Sequence, residues 1–186
     1  MEIKYGYIIG RFAPLTVGHE KLIDFALEKV DTLLIFVGSA NKVGTYRNPF
    51  NIDIRIKLIN EVYEKEIKEG KIILKALNDL STEDDYINKK WGKYLIENVE
   101  KNILEKPYYF FYGEEPSREK WFRKEDLKNT EKIVIPRSKD SISATKVRDY
   151  IANGDKNNFE KYTNKKIHKY YEKLKEELLK IEEYKK

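Results

Sequence analysis

The chain has 186 residues, of which 40% are hydrophobic and 37% are charged, and its formal net charge is +5. This length predicts one compact domain and is too short for two domains of ordinary size. Cysteine is absent and only two histidines are present, which excludes a disulfide framework, a thiolate metal site and a histidine-built zinc site.

No segment approaches the roughly 20 consecutive apolar residues that a membrane helix needs, and the first residues show no signal-peptide cleavage pattern. We therefore expect a soluble, cytoplasmic protein without a membrane partner. The basic charge suits a polyphosphate or nucleic-acid ligand, but at this charged fraction most of it is expected to be solvated surface.

Short β-branched or aromatic runs alternate along the chain with longer segments in which apolar residues recur every three or four positions. The predicted strands are residues 3–9, 32–37, 71–76, 108–112 and 132–135. The predicted helices between them are residues 18–30, 52–68, 89–104 and 115–124. This alternation predicts a doubly wound α/β domain, with a five-stranded parallel sheet and helices on both of its faces.

The C-terminal part of the chain is predicted to be helical. Residues 143–151 form a short predicted helix closed by Asn153-Gly154, and residues 157–186 are rich in lysine and glutamate with apolar residues at helical spacing. One apolar stripe consists of Ile167, Tyr171, Leu174, Leu178 and Ile181. This stripe either docks on the main domain or contacts a second subunit, so a homo-oligomer stays open. We predict a domain over residues 1–153 and a helical extension over residues 154–186 that packs on it.

A motif of ten residues, Gly-Arg-Phe-Ala-Pro-Leu-Thr-Val-Gly-His, runs from Gly10 to His19 at the end of the first predicted strand. The carboxyl ends of parallel strands are where ligands bind in this fold class. Gly10 allows close approach of a ligand, and Gly18 opens a helix whose free N–H groups favour an anion. Thr16 and His19 can converge on one phosphate, and Arg11 supplies a fork of donors. His19 taken alone could equally be a structural histidine at a helix N-terminus.

This stretch resembles the signature of the nucleotidyltransferase superfamily, Gly-Arg-Phe-x-Pro-x-(His or Thr)-x-Gly-His. Every defined position matches, with Phe12 in the aromatic position and Thr16 in the variable one. The resemblance implies a Rossmann-like nucleotidyltransferase fold, and it implies that Thr16 and His19 contact the α-phosphate of a nucleoside triphosphate. Gly10, Arg11, Phe12 and Gly18 are then expected beside the phosphates. In such chemistry the protein positions two anions in line and stabilises charge, without a covalent nucleophile.

A second motif, Ser-Ile-Ser-Ala-Thr-Lys-Val-Arg at residues 141–148, follows the last predicted strand. Ser143 suits the N-cap of a helix, and Thr145, Lys146 and Arg148 add a hydroxyl and two cations within the next turns. A capped surface helix with incidental basic residues is the alternative interpretation. The segment resembles the second superfamily signature, which implies that Ser143, Thr145 and Arg148 hold the β- and γ-phosphates, with Lys146 beside them.

The residues between the two motifs indicate the branch of the superfamily. Gly-Ser-Ala at 38–40 ends the second predicted strand, and Arg-Asn-Pro-Phe-Asn at 47–51 precedes a helix that contains Arg55. These blocks resemble nicotinamide mononucleotide adenylyltransferases of the archaeal type and the related domain of bacterial bifunctional enzymes, although residues 51 and 52 differ from the usual threonine and alanine. The resemblance implies that Gly38 and Ser39 lie against the nucleotide, that Arg47 binds phosphate and that Asn48 shapes the loop.

Two further positions are carried over from the same family. The resemblance implies that Trp91 stacks on the nicotinamide ring, an aromatic contact with a cationic ring worth about 0.5–2 kcal/mol. The alternative is that Trp91 packs its helix against the sheet. Gly113 and Glu114 resemble the position that contacts the ribose or adenine of ATP, and Trp121 is expected to be structural.

These resemblances predict an enzyme that transfers AMP from ATP to nicotinamide mononucleotide, giving NAD and pyrophosphate, with Mg²⁺ bridging triphosphate oxygens. The nicotinate nucleotide stays open as a second acceptor. One alternative is another superfamily member, a cytidylyltransferase or an adenylyltransferase for pantetheine phosphate or FMN. Another is a non-catalytic module that senses NAD or ATP. Nucleic-acid binding ranks last, because it rests only on the basic charge and the aromatic content.

Overall fold

The structure, a computed structural model, describes residues 3–80, 89–103, 106, 108–114, 118–136 and 142–185. Its strands form one sheet in which every neighbouring pair is parallel, in the order β3-β2-β1-β4-β5. The strands are β1 (Tyr5–Gly10), β2 (Thr32–Val37), β3 (Ile72–Ala76), β4 (Tyr108–Gly113) and β5 (Thr130–Ile135). The order reverses at β1, so the crevice for a ligand lies above the carboxyl ends of β1 and its neighbours.

The helices connect these strands and continue beyond the sheet. They are α1 (Val17–Leu27), α2 (Ile52–Lys68), α3 (Lys90–Asn102), α4 (Ala144–Ala152), α5 (Lys156–Lys161) and α6 (Tyr171–Leu179), with 3₁₀ turns at Arg118–Trp121, Glu125–Leu127, Lys165–Tyr170 and Glu182–Tyr184. The prediction of a doubly wound, five-stranded parallel α/β sheet is confirmed. Within the described ranges, none of the helices is both long enough and apolar enough to cross a membrane.

Alternate residues of the strands build two separate apolar cores, one on each face of the sheet. On β2, Leu33 and Ile35 face the core that also contains residues of α1, α2, α4 and the C-terminal helices. Leu34 and Phe36 face the other core, which α3 covers. All four side chains are buried because both faces of a parallel sheet are covered by helices.

The C-terminal helices dock on the first of these cores. Ile167, Leu174 and Leu178 are fully buried in the same cluster as residues of β1, β2 and α1. The apolar stripe predicted from the sequence therefore packs against the main domain of its own chain.

One helix prediction is wrong, and the helical C-terminal region is divided into several elements. The helix predicted at 115–124 is a 3₁₀ turn at Arg118–Trp121 in its described part, and residues 115–117 lie outside the described residues. The chain leaves that turn because Phe122 is buried in the core beneath α3. The C-terminal region is helical, as predicted, and it is divided after α5, where the side chain of Asn164 accepts a hydrogen bond from the N–H of Lys166 and so competes with helical bonding.

Candidate active site

The loop after β1 brings the first motif to the carboxyl edge of the sheet. Phe12 is buried and has a positive φ of 49°. A Cβ at Gly10 would lie 3.0 Å from the Phe12 ring, so the glycine makes room for this side chain. The Phe12 ring also meets the ring of His19 edge-on, with centroids 5.0 Å apart. Phe12 thus supports the histidine from below, which is a packing role that the motif alone does not reveal.

Thr16 and His19 are joined at the first turn of α1. Thr16 is the N-cap and is buried, and its backbone N–H donates to Nδ1 of His19 over 3.1 Å. The hydroxyl of Thr16 lies 3.0 Å from the same nitrogen. Because Nδ1 accepts from a backbone N–H, a neutral imidazole here carries its proton on Nε2. Thr16 and His19 therefore lie together at a helix start, which favours an anion, and their convergence on one phosphate stays a prediction.

A buried arginine that was not among the predicted site residues fixes the strand ends. Arg55 of α2 is 1% exposed, and its guanidinium donates to the carbonyls of Arg11, Gly38 and Ser39 over 3.1, 2.7 and 3.0 Å. Burial, with the nearby charge of Arg11, lowers its pKa to about 10, so the side chain stays charged at neutral pH. Arg55 therefore ties the loop after β1 to the end of β2. The sequence feature that could have identified Arg55 is its position in the helix directly after the Arg-Asn-Pro-Phe-Asn block at 47–51.

The loop after β2 lies beside the first motif. Arg11 donates through Nη1 to the backbone carbonyl of Arg47 over 3.0 Å, which joins this loop to the first motif. Ser39 is buried with a φ of 50°, and the carbonyls of Gly38 and Ser39 face Arg55. Asn48 is buried, and its side-chain oxygen has no hydrogen-bond partner among the residues that the structure describes.

The second motif contacts the first. Ser143 caps α4 by accepting the N–H of Lys146 over 3.2 Å. Lys146 is exposed and lies over the ring of Tyr150, with its Nζ 5.4 Å from the ring centroid. Arg148 reaches back and donates to the carbonyl of Ala13 over 2.8 Å. One buried hydrogen bond therefore joins the two motifs.

Arg148 is placed differently from an open phosphate clamp. It is 3% exposed, and besides Ala13 it donates to the Tyr184 hydroxyl, the Tyr46 carbonyl and the Thr145 hydroxyl over 2.7, 3.4 and 3.2 Å. A guanidinium has five N–H donors, and four are used in these bonds. A bidentate grip on phosphate would require Arg148 to release at least one of them. Its prediction as a triphosphate ligand stays a prediction.

The sequence of this chain is similar to those of known proteins. Residues 7–150 match the sequence profile of the cytidylyltransferase-like family. The nicotinamide-nucleotide adenylyltransferase of Thermococcus kodakarensis is 32% identical over 155 residues, which cover 82% of this chain and 75% of that protein. The chain belongs to this family of nucleotidyltransferases. A second nicotinamide-nucleotide adenylyltransferase, from Thermococcus sibiricus, is 36% identical over 91 residues, covering 48% of this chain and 46% of that protein.

The fold of the nucleotidyltransferase family also appears in a solved structure. The bifunctional NMN adenylyltransferase/ADP ribose pyrophosphatase of Francisella tularensis, complexed with AMP and a manganese ion, superimposes with a TM-score of 0.66. The two sequences are 22% identical, and the match covers 82% of this chain and 42% of that longer one. At this identity the likeness concerns the fold, and it agrees with the Rossmann-like nucleotidyltransferase fold predicted from the sequence.

The tryptophan predicted to stack on nicotinamide, Trp91, is buried in the core of this nucleotidyltransferase. Trp91 is 2% exposed and packs in the core beneath α3, with its ring 5.4 Å from that of Tyr94 and 6.3 Å from that of Trp121. These contacts correspond to the packing alternative, and stacking on a ligand would require Trp91 to leave the core. Its prediction as a substrate contact stays untested.

Two further residues lie at the edge of the sheet. Gly113 ends β4, and a Cβ added there would meet nothing within 4 Å, so this position is open to a ligand. Arg118, which the sequence reasoning missed, donates to the carbonyl of Ile9 over 2.8 Å and lies over the Trp121 ring. No motif marked Arg118, because only the fold brings it to the end of β1.

Proposed function

We propose that this nucleotidyltransferase transfers AMP from ATP to nicotinamide mononucleotide, giving NAD and pyrophosphate. The observation that carries the proposal is the Thr16–His19 pair at the start of α1, held at the carboxyl edge of the sheet beside Arg11 and Arg47. Membership of the adenylyltransferase family supports the same reaction. A polyanionic substrate suits an edge that contains several arginines.

The proposed reaction is an in-line displacement at the α-phosphorus of ATP. A 5′-phosphate oxygen of the mononucleotide forms a new P–O bond, while the bond from the α-phosphorus to the β-phosphate oxygen breaks and pyrophosphate leaves. The Nε2–H of His19 would donate to an α-phosphate oxygen, and Thr16 would orient that group. Charge that builds on the phosphoryl oxygens is thereby stabilised by donors fixed before the reaction begins.

A divalent cation, expected to be Mg²⁺, would neutralise the triphosphate and help pyrophosphate to leave. Among the residues that the structure describes, no cluster of three or more acidic or histidine side chains could hold such an ion. Phosphate oxygens of ATP are expected among its ligands. The manganese ion in the Francisella tularensis structure supports the use of a divalent cation in this fold.

Chromatography of reaction mixtures tests the proposal. Purified protein, ATP, MgCl₂ and nicotinamide mononucleotide should yield NAD and an equal amount of pyrophosphate, and chelation of the metal should stop both. Parallel mixtures would contain nicotinate mononucleotide with ATP, phosphocholine with CTP, and phosphopantetheine or FMN with ATP. Faster turnover of CTP or of another acceptor would assign the chain to a different reaction of the superfamily. No product in any mixture, together with tight binding of ATP or NAD, would favour a sensor and refute the proposal.

A further inference from the structure

The C-terminal 3₁₀ turn Glu182–Tyr184 reaches the candidate active site. Tyr184 is 4% exposed and belongs to the same buried cluster as Leu174, Leu178 and Ile181 of the tail. Its hydroxyl accepts a hydrogen bond from Nε of Arg148 over 2.7 Å and donates to the carbonyl of Tyr46 over 3.1 Å. Its ring stacks on that of Tyr46, with centroids 4.8 Å apart and planes 22° apart. One side chain of the tail thus contacts both a motif helix and the loop after β2.

Two lines of contact lead from Tyr184 to the first motif. The first passes through Arg148 to the carbonyl of Ala13 over 2.8 Å. The second passes through Tyr46 to its neighbour Arg47, whose carbonyl accepts from Nη1 of Arg11 over 3.0 Å. Both lines end in the loop between β1 and α1, where the α-phosphate of ATP is proposed to bind.

Docking of the tail does not explain this arrangement. The fully buried Ile167, Leu174 and Leu178 already attach the tail to the core. The loop that contains Tyr46, in contrast, is exposed over residues 41–47. A loop with so little buried surface needs an external anchor to hold one conformation. The Tyr184 hydroxyl and Nη2 of Arg148 both supply such an anchor to the carbonyl of Tyr46.

We propose that Tyr184 is a positioning residue, which holds Arg148 and the Tyr46–Arg47 loop so that Arg11 and Arg47 meet the phosphates of the nucleoside triphosphate. The inference rests on the proposed function for the identity of that ligand. Arg148 acts in this scheme as the junction of the tail with the first motif. Because the arginines are already ordered before the ligand binds, less conformational entropy is lost on binding.

The test is the variant Tyr184→Phe, which keeps the stacked ring and removes only the hydroxyl. The matched control is Tyr170→Phe, because the Tyr170 hydroxyl also joins the tail to the domain, by donating to Glu61 of α2, and takes no part in the site. Tyr184→Phe should raise the KM for ATP about threefold to tenfold, the change expected from one hydrogen bond, and should alter kcat less than about twofold. Tyr170→Phe should lower the melting temperature to a similar degree and leave both constants unchanged.

A second measurement separates this proposal from the proposed function. Calorimetric titration with a non-hydrolysable ATP analogue, without any acceptor, should give a Kd raised about threefold to tenfold by Tyr184→Phe and unchanged by Tyr170→Phe. In an Arg47→Ala background the effect of Tyr184→Phe should shrink, since the loop then has less to position. An unchanged Kd in Tyr184→Phe, or equal changes in both tyrosine variants, would overturn the positioning role. If Tyr184→Phe weakens binding of the analogue but the wild-type protein makes no NAD, only the proposed reaction is refuted.

Discussion

Replacement of His19 by alanine separates the capping role that the structure shows from the catalytic role that we propose for the same ring. The Thr16 N–H donates to Nδ1 over 3.1 Å, so the imidazole caps α1, and its Nε2–H is the group proposed to donate to the α-phosphate. Loss of a hydrogen bond to a charged group costs about 1.5–3 kcal/mol, which corresponds to a fall in kcat of about 10- to 150-fold. ATP affinity should change less, because the donor matters most when charge builds on the phosphoryl oxygens.

The same substitution leaves the Thr16 N–H without its acceptor. Loss of a cap costs about 1 kcal/mol and should lower the melting temperature by about 2–4 °C in a protein of this size. His19→Glu is the matched control for stability, since a glutamate at this position of a capping box can accept the same N–H but has no proton to donate. It should melt near the wild-type temperature and remain inactive. Wild-type kcat with a raised KM in His19→Ala would refute a role in the transition state, and recovery of turnover by His19→Glu would reduce His19 to a cap.

Three further sets of substitutions test the frame of the site. Arg55→Lys should lower the free energy of unfolding by about 2–3 kcal/mol in denaturant titrations. The reason is that the compact ammonium of lysine cannot donate to all the carbonyls that the buried guanidinium binds. An unchanged denaturation midpoint would contradict this expectation. Gly92→Ala should destabilise by about 1–3 kcal/mol, since a Cβ there would lie 2.3 Å from the Trp121 carbonyl oxygen, whereas Gly113→Ala, with nothing within 4 Å, should melt like the wild type. Equal melting temperatures for the two glycine variants would mean that α3 can move away. Burial raises the pKa of Glu20 above its ordinary value of 4.5, so the native state binds more protons than the unfolded state in the pH range between that value and the raised pKa, and stability falls as the pH rises through this range. Glu20→Gln should therefore raise the melting temperature at neutral pH and flatten its dependence on pH. If the melting temperature of the variant varies with pH as that of the wild type does, a raised pKa of Glu20 is contradicted.

The sequence was sufficient for the long periodic elements. Both ends of α2 and of β2 lie at the residues that periodicity predicts, Ile52–Lys68 and Thr32–Val37. The helix prediction failed at residues 118–124, where a 3₁₀ turn precedes the buried ring of Phe122. The division of the C-terminal region at Asn164, whose side chain accepts the N–H of Lys166, was not predicted either. Such effects depend on tertiary packing, which local periodicity does not contain.

The same division applies to the candidate site. The Thr16–His19 pair was predictable because both residues lie within one turn of a helix start. The placement of Arg148 was not, because its partners Ala13 and Tyr184 are 135 and 36 residues away in the sequence. The position of Arg118 was not predictable for the same reason, since its contact with Ile9 spans 109 residues.

The two buried arginines of the site share an electrical property. Arg55 and Arg148 are held by carbonyl and hydroxyl oxygens, which satisfy N–H groups without cancelling their positive charge. A carboxylate in the same positions would have neutralised the field that the two guanidiniums project above the sheet. Asp79 offsets part of the charge of Arg55, and the charge that remains would attract a polyphosphate over distances comparable to the Debye length, about 8 Å at physiological ionic strength. The scaffold that orders the strand ends therefore also sets how strongly added salt slows the arrival of the nucleotide.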